Sequence, residues 1–120
     1  MSKEKGNVES KAFKFAKNII DVVLSISKNE IKFVLGKQLM RSGTSIGANI
    51  EEAKGGILKP DFTHSMNIAK KEARETLYWL KLLVEFDFIN KNKLNDLISD
   101  CEELIKILTS IVKSSQISYN

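Results

Sequence analysis

Apolar residues recur every three or four positions along four stretches of the chain, the pattern of amphipathic α-helices. The four stretches cover about residues 9–27, 31–54, 60–86 and 91–113. Few segments alternate with the period of two that a half-buried β-strand requires. Residues 114–120 carry no periodic pattern, so we expect a disordered tail. Four helices with short connections predict an all-α, antiparallel up-down-up-down four-helix bundle, and 1–120 would be a single domain.

Two of the four helices carry more apolar surface than a lone bundle buries. The first is apolar around about half of its circumference. The third has one continuous apolar stripe and a second one beside it, which includes Trp79, Leu82 and Phe86. Because a four-helix bundle buries one face of each helix, the surplus predicts that another subunit covers part of this surface.

Small and polar residues are concentrated in the second helix, in the sequence RSGTSIGANIEEAKGG at 41–56. Each glycine inside a helix costs about 1 kcal/mol relative to alanine, and close packing of another backbone is the usual compensation. Gly43 and Gly47 are four residues apart and share one face, so we expect a close helix contact there. Gly55 and Gly56 would end the helix, with glycine adopting the left-handed cap conformation.

A polar row on the second helix would face a polar row on the third. Arg41 would lie opposite Glu72 and Glu75 if the two helices are antiparallel about residues 55–59. We expect a buried or half-buried network from Arg41 to Glu75, extended by Ser45, Asn49 and Glu72. Such networks fix register and partner choice more than they add stability. The alternative is a solvated face.

The positive charge of the chain is concentrated in its first half. The net charge is +4, and residues 1–60 hold 11 basic and 6 acidic side chains, against 8 and 9 in residues 61–120. The outward face of the first helix and a short run in the third helix form two candidate surfaces for nucleic-acid phosphates: Lys11, Lys14, Lys17, Lys28, Lys70, Lys71 and Arg74. The alternative is that these are the solvated backs of amphipathic helices.

Catalytic and metal-binding constellations are missing from the sequence. It has a single histidine, His64, and a single cysteine, Cys101, which lies on an apolar stripe. A di-iron bundle needs two Glu-x-x-His motifs, and a zinc site needs several His or Cys ligands. We therefore expect no enzyme activity and no cofactor. The N-terminus lacks an apolar signal core and no apolar run approaches a bilayer span, so we expect a cytoplasmic location and no membrane partner.

Two long motifs occur in order. QLMRSGTSIGANIEEAKGG at 38–56 and DFTHSMNIAKKEARETLYWLKLL at 61–83 resemble the family of four-helix-bundle proteins encoded in intervening sequences of bacterial 23S rRNA genes. The resemblance covers about residues 30–113. The chain departs from the family pattern at ILKP, residues 57–60, where the family more often has serine and other small polar residues.

The resemblance implies a homo-oligomer, typically a ring of five, with no established enzymatic activity. A related branch, the accessory proteins of diversity-generating retroelements, forms basic rings that bind nucleic acid. The possible partners are therefore the chain itself, RNA or DNA, and a protein encoded nearby. A protein-binding scaffold with no nucleic-acid role is the alternative function. The motif positions, which we expect at helix or subunit contacts, are Arg41, Ser45, Asn49, Glu52, Glu72 and Glu75, with Trp79 among the interface candidates.

Overall fold

The computed structural model describes residues 7–26, 29–56, 58–87 and 89–119, and they form four α-helices. The helices are α1 (Val8–Leu24), α2 (Glu30–Lys54), α3 (Lys59–Val84) and α4 (Lys91–Tyr119). Consecutive helices pack side by side and α1 also packs against α4, so the up-down-up-down four-helix bundle predicted from the sequence is confirmed. Four faces result, each formed by two neighbouring helices.

The predicted apolar stripes meet along the axis of the bundle. Ile19, Leu39, Leu80 and Leu108 are fully buried, one from each helix. Leu83 and Thr63 of α3 are also buried. Burial of these side chains is the main stabilising contribution, at about 25 cal/mol for each Å² of apolar surface removed from water.

One helix end, the C-terminus of α4, differs from the sequence prediction by more than a full turn. Helix α4 continues to Tyr119 instead of ending near Lys113, so the predicted disordered tail at 114–119 is wrong. The Ser115 hydroxyl contacts the buried Thr63 hydroxyl of α3, which holds the last turns of α4 against the bundle. The other helices begin and end within three residues of the predicted bounds, as is usual for helix termini.

The two glycines after α2 have a different role from the one predicted. Gly55 caps α2 with φ −85° and ψ −2°, which is right-handed backbone, so the predicted left-handed cap is wrong. Gly56 instead lies where the start of α3 approaches. A Cβ atom on Gly56 would lie 3.3 Å from the Cβ of Asp61 and 3.3 Å from the backbone nitrogen of Phe62. The absence of a side chain allows this tight connection.

Candidate functional site

A network of charged and polar side chains lies on the face formed by α2 and α3. The guanidinium of Arg41 contacts one carboxylate oxygen of Glu72 at 3.3 Å and also forms an ion pair with Glu75. Arg41 donates a hydrogen bond to Gln38 Oε1 at 3.1 Å, and Trp79 Nε1 donates to Glu75 Oε2 at 2.9 Å. The antiparallel register of the two helices therefore brings these motif residues together in one cluster.

A fully buried hydroxyl pair lies directly beneath this network. Thr76 Oγ1 lies 2.9 Å from Ser42 Oγ, and both residues have no solvent exposure. Each hydroxyl also lies near a carbonyl one turn back in its own helix, so neither is left unsatisfied. The hydrogen bond between Ser42 and Thr76 forms at only one register of α2 against α3.

The other polar motif residues of α2 do not join the network. Asn49 Nδ2 donates to the backbone oxygen of Ser45 at 2.8 Å, so its amide turns back onto its own helix. Ser45 is half-buried, and Glu52 is exposed near the end of α2. These side chains extend the same surface along α2 toward its C-terminus.

The inner side of the small-residue stretch is explained by packing of α1 on α2. A Cβ atom on Gly43 would lie 3.0 Å from two side-chain carbons of the buried Ile19. A Cβ atom on Gly47 would lie 3.7 Å from Ala12, which is an ordinary contact. A side chain at position 43 would therefore crowd Ile19, whereas one at position 47 would make an ordinary contact.

Large apolar side chains project into solvent from the face formed by α1 and α2. Phe13 is 76% exposed, Leu24 75% and Phe33 63%, and Ile20 continues the row between Phe13 and Leu24. Lys11 contacts Glu103 of α4 and Ala12 packs near Gly47 of α2, so Phe13 lies on the side of α1 away from α4. We call this group of four side chains the α1–α2 apolar face. Phe13 was not predicted to belong to a contact surface, although its spacing from Ile20 and Leu24 places all three on one helix face.

A second apolar surface lies on the neighbouring face, beyond one end of the Arg41 network. Ile31 and Val34 of α2 are more than half exposed, and Phe86, just after α3, is 46% exposed. The register fixed by Arg41 and Glu75 places them level with Leu82 and Trp79, which are half-buried. We call these five side chains the α2–α3 apolar face.

The lysines of α1 do not form an uninterrupted basic surface. Lys11 pairs with Glu103 at 3.3 Å, and Lys17 pairs with Asp21 at 3.1 Å. Lys14 lines a cleft with Asp100 and Glu103. Burial, followed by repulsion from Glu103 and Asp96, raises the pKa of Asp100, whereas Lys14 and Lys11 lower it. Lys28 lies outside the described residues.

The basic residues of α3 separate into two groups. Arg74 lies in the groove between α3 and α4, and Lys70 is one helical turn before it. Lys71 is exposed, but it lies about 100° around the helix from Lys70, toward the α2–α3 face. The groove brings Lys106 of α4 beside Arg74, which the sequence alone could not show because the two residues belong to different helices.

The described residues offer no constellation for catalysis or metal binding. Among them, no group of three or more His, Cys, Asp or Glu side chains is placed to hold a metal ion. His64 and Asp61 are both exposed at the start of α3. Burial raises the pKa of the Cys101 thiol to about 12, so the thiolate nucleophile does not form near neutral pH. None of the described helices combines the length and the apolar character needed to cross a bilayer.

The described residues form a four-helix bundle with two exposed apolar faces, and they include no group of side chains placed to hold a metal ion. The sequence profile of the 23S rRNA-intervening sequence protein family matches residues 4–110. The chain therefore belongs to the family of 23S rRNA-intervening sequence proteins.

A solved structure supports this assignment. The chain is similar to a protein of unknown function from the S23 ribosomal protein family of Bacteroides thetaiotaomicron VPI-5482, with 41% sequence identity and a TM-score of 0.84. The match covers 89% of this chain and 99% of the other. No curated protein matches the chain.

Proposed function

We propose that this protein is a non-enzymatic assembly subunit of the cytoplasm. Copies of the chain would associate into a closed homo-oligomer, with five members as the family resemblance implies, and the assembly would bind nucleic acid without sequence preference. The observation that carries the proposal is the placement of large exposed apolar side chains on two adjacent faces of the bundle. Contiguous exposed apolar surface of this kind is typical of protein contact sites.

The two apolar faces favour contact between unlike surfaces. They share α2 and point roughly at right angles to each other, as neighbouring faces of a four-helix bundle do. When one face of a copy packs on the other face of the next copy, each step turns through a large angle, and the chain of contacts closes into a small ring. Two like faces in contact would instead give a dimer at each face.

The Arg41 network supports the same proposal. It lies on the α2–α3 face, where a neighbouring copy would cover it, and its half-buried carboxylates Glu72 and Glu75 share one guanidinium. Charged groups at the edge of an apolar contact set register and exclude wrong partners more than they add affinity. Trp79 would extend the contact, since aromatic side chains are common anchors of interfaces.

The assembly proposal is tested with two variants that each damage one face. The first is Phe13→Glu with Leu24→Glu, on the α1–α2 apolar face. The second is Val34→Glu with Phe86→Glu, on the α2–α3 apolar face. All four positions are exposed, so the fold of the subunit should survive. Ile117→Glu is the matched control, because Ile117 is 69% exposed but lies on α4, away from both faces.

Mass measurement by light scattering gives distinct outcomes. Each double variant alone should have the mass of one chain, 13.5 kDa. An equimolar mixture should give a species of about 27 kDa, because the two variants retain one intact pair of unlike faces and the dimer cannot grow further. The control should assemble like the unmodified protein. Monomers in the mixture, or full assembly by either double variant, would contradict the proposed contact.

Nucleic-acid binding is the second part of the proposal. A net charge of +4 on each chain is multiplied by assembly, which raises the affinity of a charged surface for a polyanion. A scaffold that binds only another protein, encoded nearby, remains the alternative. Salt distinguishes them, because phosphate contacts weaken steeply as the salt concentration rises and an apolar protein interface does not.

A further inference from the structure

The face formed by α3 and α4 carries the most one-sided charge of the described surface. Five basic side chains lie along it, the carboxylate of Glu102 lies among them, and the carboxylate of Glu85 lies one helical turn beyond Lys81. The five are Lys70, Arg74, Lys81, Lys106 and Lys113. We call this group the α3–α4 cationic strip. All except Lys70 are exposed, and no described carboxylate forms an ion pair with any of the five.

The face between α4 and α1 is different in charge. Its lysines meet carboxylates, as Lys11 does with Glu103, and Lys93 lies in a cleft with Asp96 and Asp100. Neighbouring charges of opposite sign cancel at a distance, whereas five cations with two carboxylates, Glu102 and Glu85, keep an excess of positive charge whose field extends into solvent. The α3–α4 face therefore has a larger excess of unpaired positive charge than the α1 lysines, and it includes Lys70 and Arg74 of the second surface that the sequence predicted.

The strip has the dimensions of a backbone-binding surface. Its centre is a groove of about 420 Å³ lined by Arg74, Leu77, Glu102, Ile105 and Lys106. The contact between Cys101 and the carbonyl of Ala73 fixes the register of the two helices, so Lys113 lies near the start of α3 and Lys81 near its end. At 1.5 Å per residue the strip is about 25 Å long. About seven phosphates of one strand span that length at 3.4 Å each.

We propose that the α3–α4 cationic strip is the surface that binds the sugar-phosphate backbone of nucleic acid. The inference rests on the nucleic-acid part of the proposed function and names its site. Exposed Asn67 and Ser99 border the cations and supply the neutral donors that phosphate contacts also use. Contacts of this type position a duplex and carry no sequence information.

The proposed assembly leaves this strip accessible. The α3–α4 face is opposite the α1–α2 apolar face, and it shares only α3 with the α2–α3 apolar face. When the two apolar faces are covered by neighbouring copies, the strip remains on the outer surface of each subunit. Repeated strips on one assembly would engage a single nucleic acid at several points, which increases the effective affinity.

The test compares two sets of substitutions with the same change in charge. The strip variant is Arg74→Gln, Lys81→Gln and Lys106→Gln, all at exposed positions. The control is Lys11→Gln, Lys14→Gln and Lys17→Gln on α1. Binding of a DNA duplex, and of an RNA hairpin with the same stem sequence, is followed by fluorescence anisotropy across a salt series. Light scattering on the same samples reports whether each variant still assembles.

We expect the strip variant to lose at least about tenfold in affinity at a fixed salt concentration. We also expect the slope of log affinity against log salt to fall by about two to three, one for each lost phosphate contact. The α1 control should stay within about twofold of the unmodified protein. Comparison of the DNA and RNA titrations shows which nucleic acid the strip prefers.

The opposite pattern would overturn the inference. If the α1 control loses binding and the strip variant keeps it, the site lies on α1, and nucleic-acid binding itself stands. If the unmodified assembly binds neither probe at low salt, or binds with no dependence on salt, the nucleic-acid part of the proposed function fails and the inference fails with it. If the strip variant does not assemble, Lys106→Gln with Lys113→Gln, confined to the outer face of α4, replaces it.

Discussion

Gly43 and Gly47 belong to the same helix and the same sequence motif, but an added methyl group would crowd a neighbour at only one of them. Gly43 lies against Ile19, which is fully buried and β-branched and therefore cannot move easily to accept a methyl group. Gly47 lies at ordinary contact distance from Ala12. Close packing therefore offsets the helix-propensity cost of glycine at position 43 but not at position 47.

We predict that Gly47→Ala raises the free energy of unfolding by up to about 1 kcal/mol, because alanine is the better helix former. Gly43→Ala should lower it by about 1–3 kcal/mol, because the added methyl group overpacks the contact with α1. Urea unfolding at one protein concentration measures both. Equal stabilisation by the two substitutions would show that α1 and α2 are not packed as closely at Gly43 as described here.

Arg41 is the one cation of the polar network, and its removal leaves two carboxylates facing each other. Glu72 and Glu75 are half-buried, and Gln38 and Trp79 contribute only hydrogen bonds. We predict that Arg41→Ala lowers the free energy of unfolding by about 1–2 kcal/mol and weakens assembly. Arg41→Lys should recover part of this loss, because it restores the charge but not the two-sided contact of the guanidinium.

Thermal unfolding and light scattering together test the role of Arg41. Half of the Arg41 side chain is exposed, so solvent screens part of the interaction and the predicted effect is modest. An Arg41→Ala protein with unchanged stability and unchanged mass would show that the network is only a solvated part of the surface.

At the scale of helices, the starts of α2, α3 and α4 are not equally well capped. Asn29 accepts hydrogen bonds from Ile31 N at 3.0 Å and Lys32 N at 3.3 Å, and Asn90 does the same at the start of α4. Leu58 occupies the equivalent position of α3 and makes no side-chain cap hydrogen bond. Leu58 belongs to ILKP, residues 57–60, the segment in which the resemblance predicts a departure from the family pattern.

We predict that Leu58→Asn raises the free energy of unfolding by about 0.5–1 kcal/mol, because Leu58 already has the extended backbone that a capping residue requires, with φ −109° and ψ 151°. Asn29→Ala is the reciprocal control and should lower it by about 1 kcal/mol. Urea unfolding measures both. A destabilising Leu58→Asn would mean that the apolar contacts of Leu58 are worth more than the cap.

Helix positions and the Arg41 cluster could be predicted from the sequence because both depend on local spacing. The period of three and four residues gives the helices, and an antiparallel hairpin with a short turn fixes which residues of α2 meet those of α3. The extension of α4 could not be predicted, because Ser114 and Ser115 give no helical signal and Ser115 is held by Thr63, 52 residues away.

At the scale of the whole molecule, the four faces of the bundle have different chemistry. Two neighbouring faces are apolar, the α3–α4 face is cationic, and the face between α4 and α1 carries mixed charge. The sequence could not assign charges to faces, because Lys11 meets Glu103 and Arg74 meets Lys106 only when distant helices are placed side by side. The sequence therefore predicted the α1 lysines and the α3 cluster as separate candidates, and which of them contacts phosphates stays a prediction.

The central claim is that the chain assembles through its two apolar faces, and its mass in solution tests this most directly. Light scattering on the unmodified protein, over a range of concentrations and at both low and high salt, should give one mass well above the 13.5 kDa of the chain. A ring of five would give about 68 kDa. Because the contact is apolar, the mass should not fall as salt rises. A mass of one chain at every concentration would contradict the account.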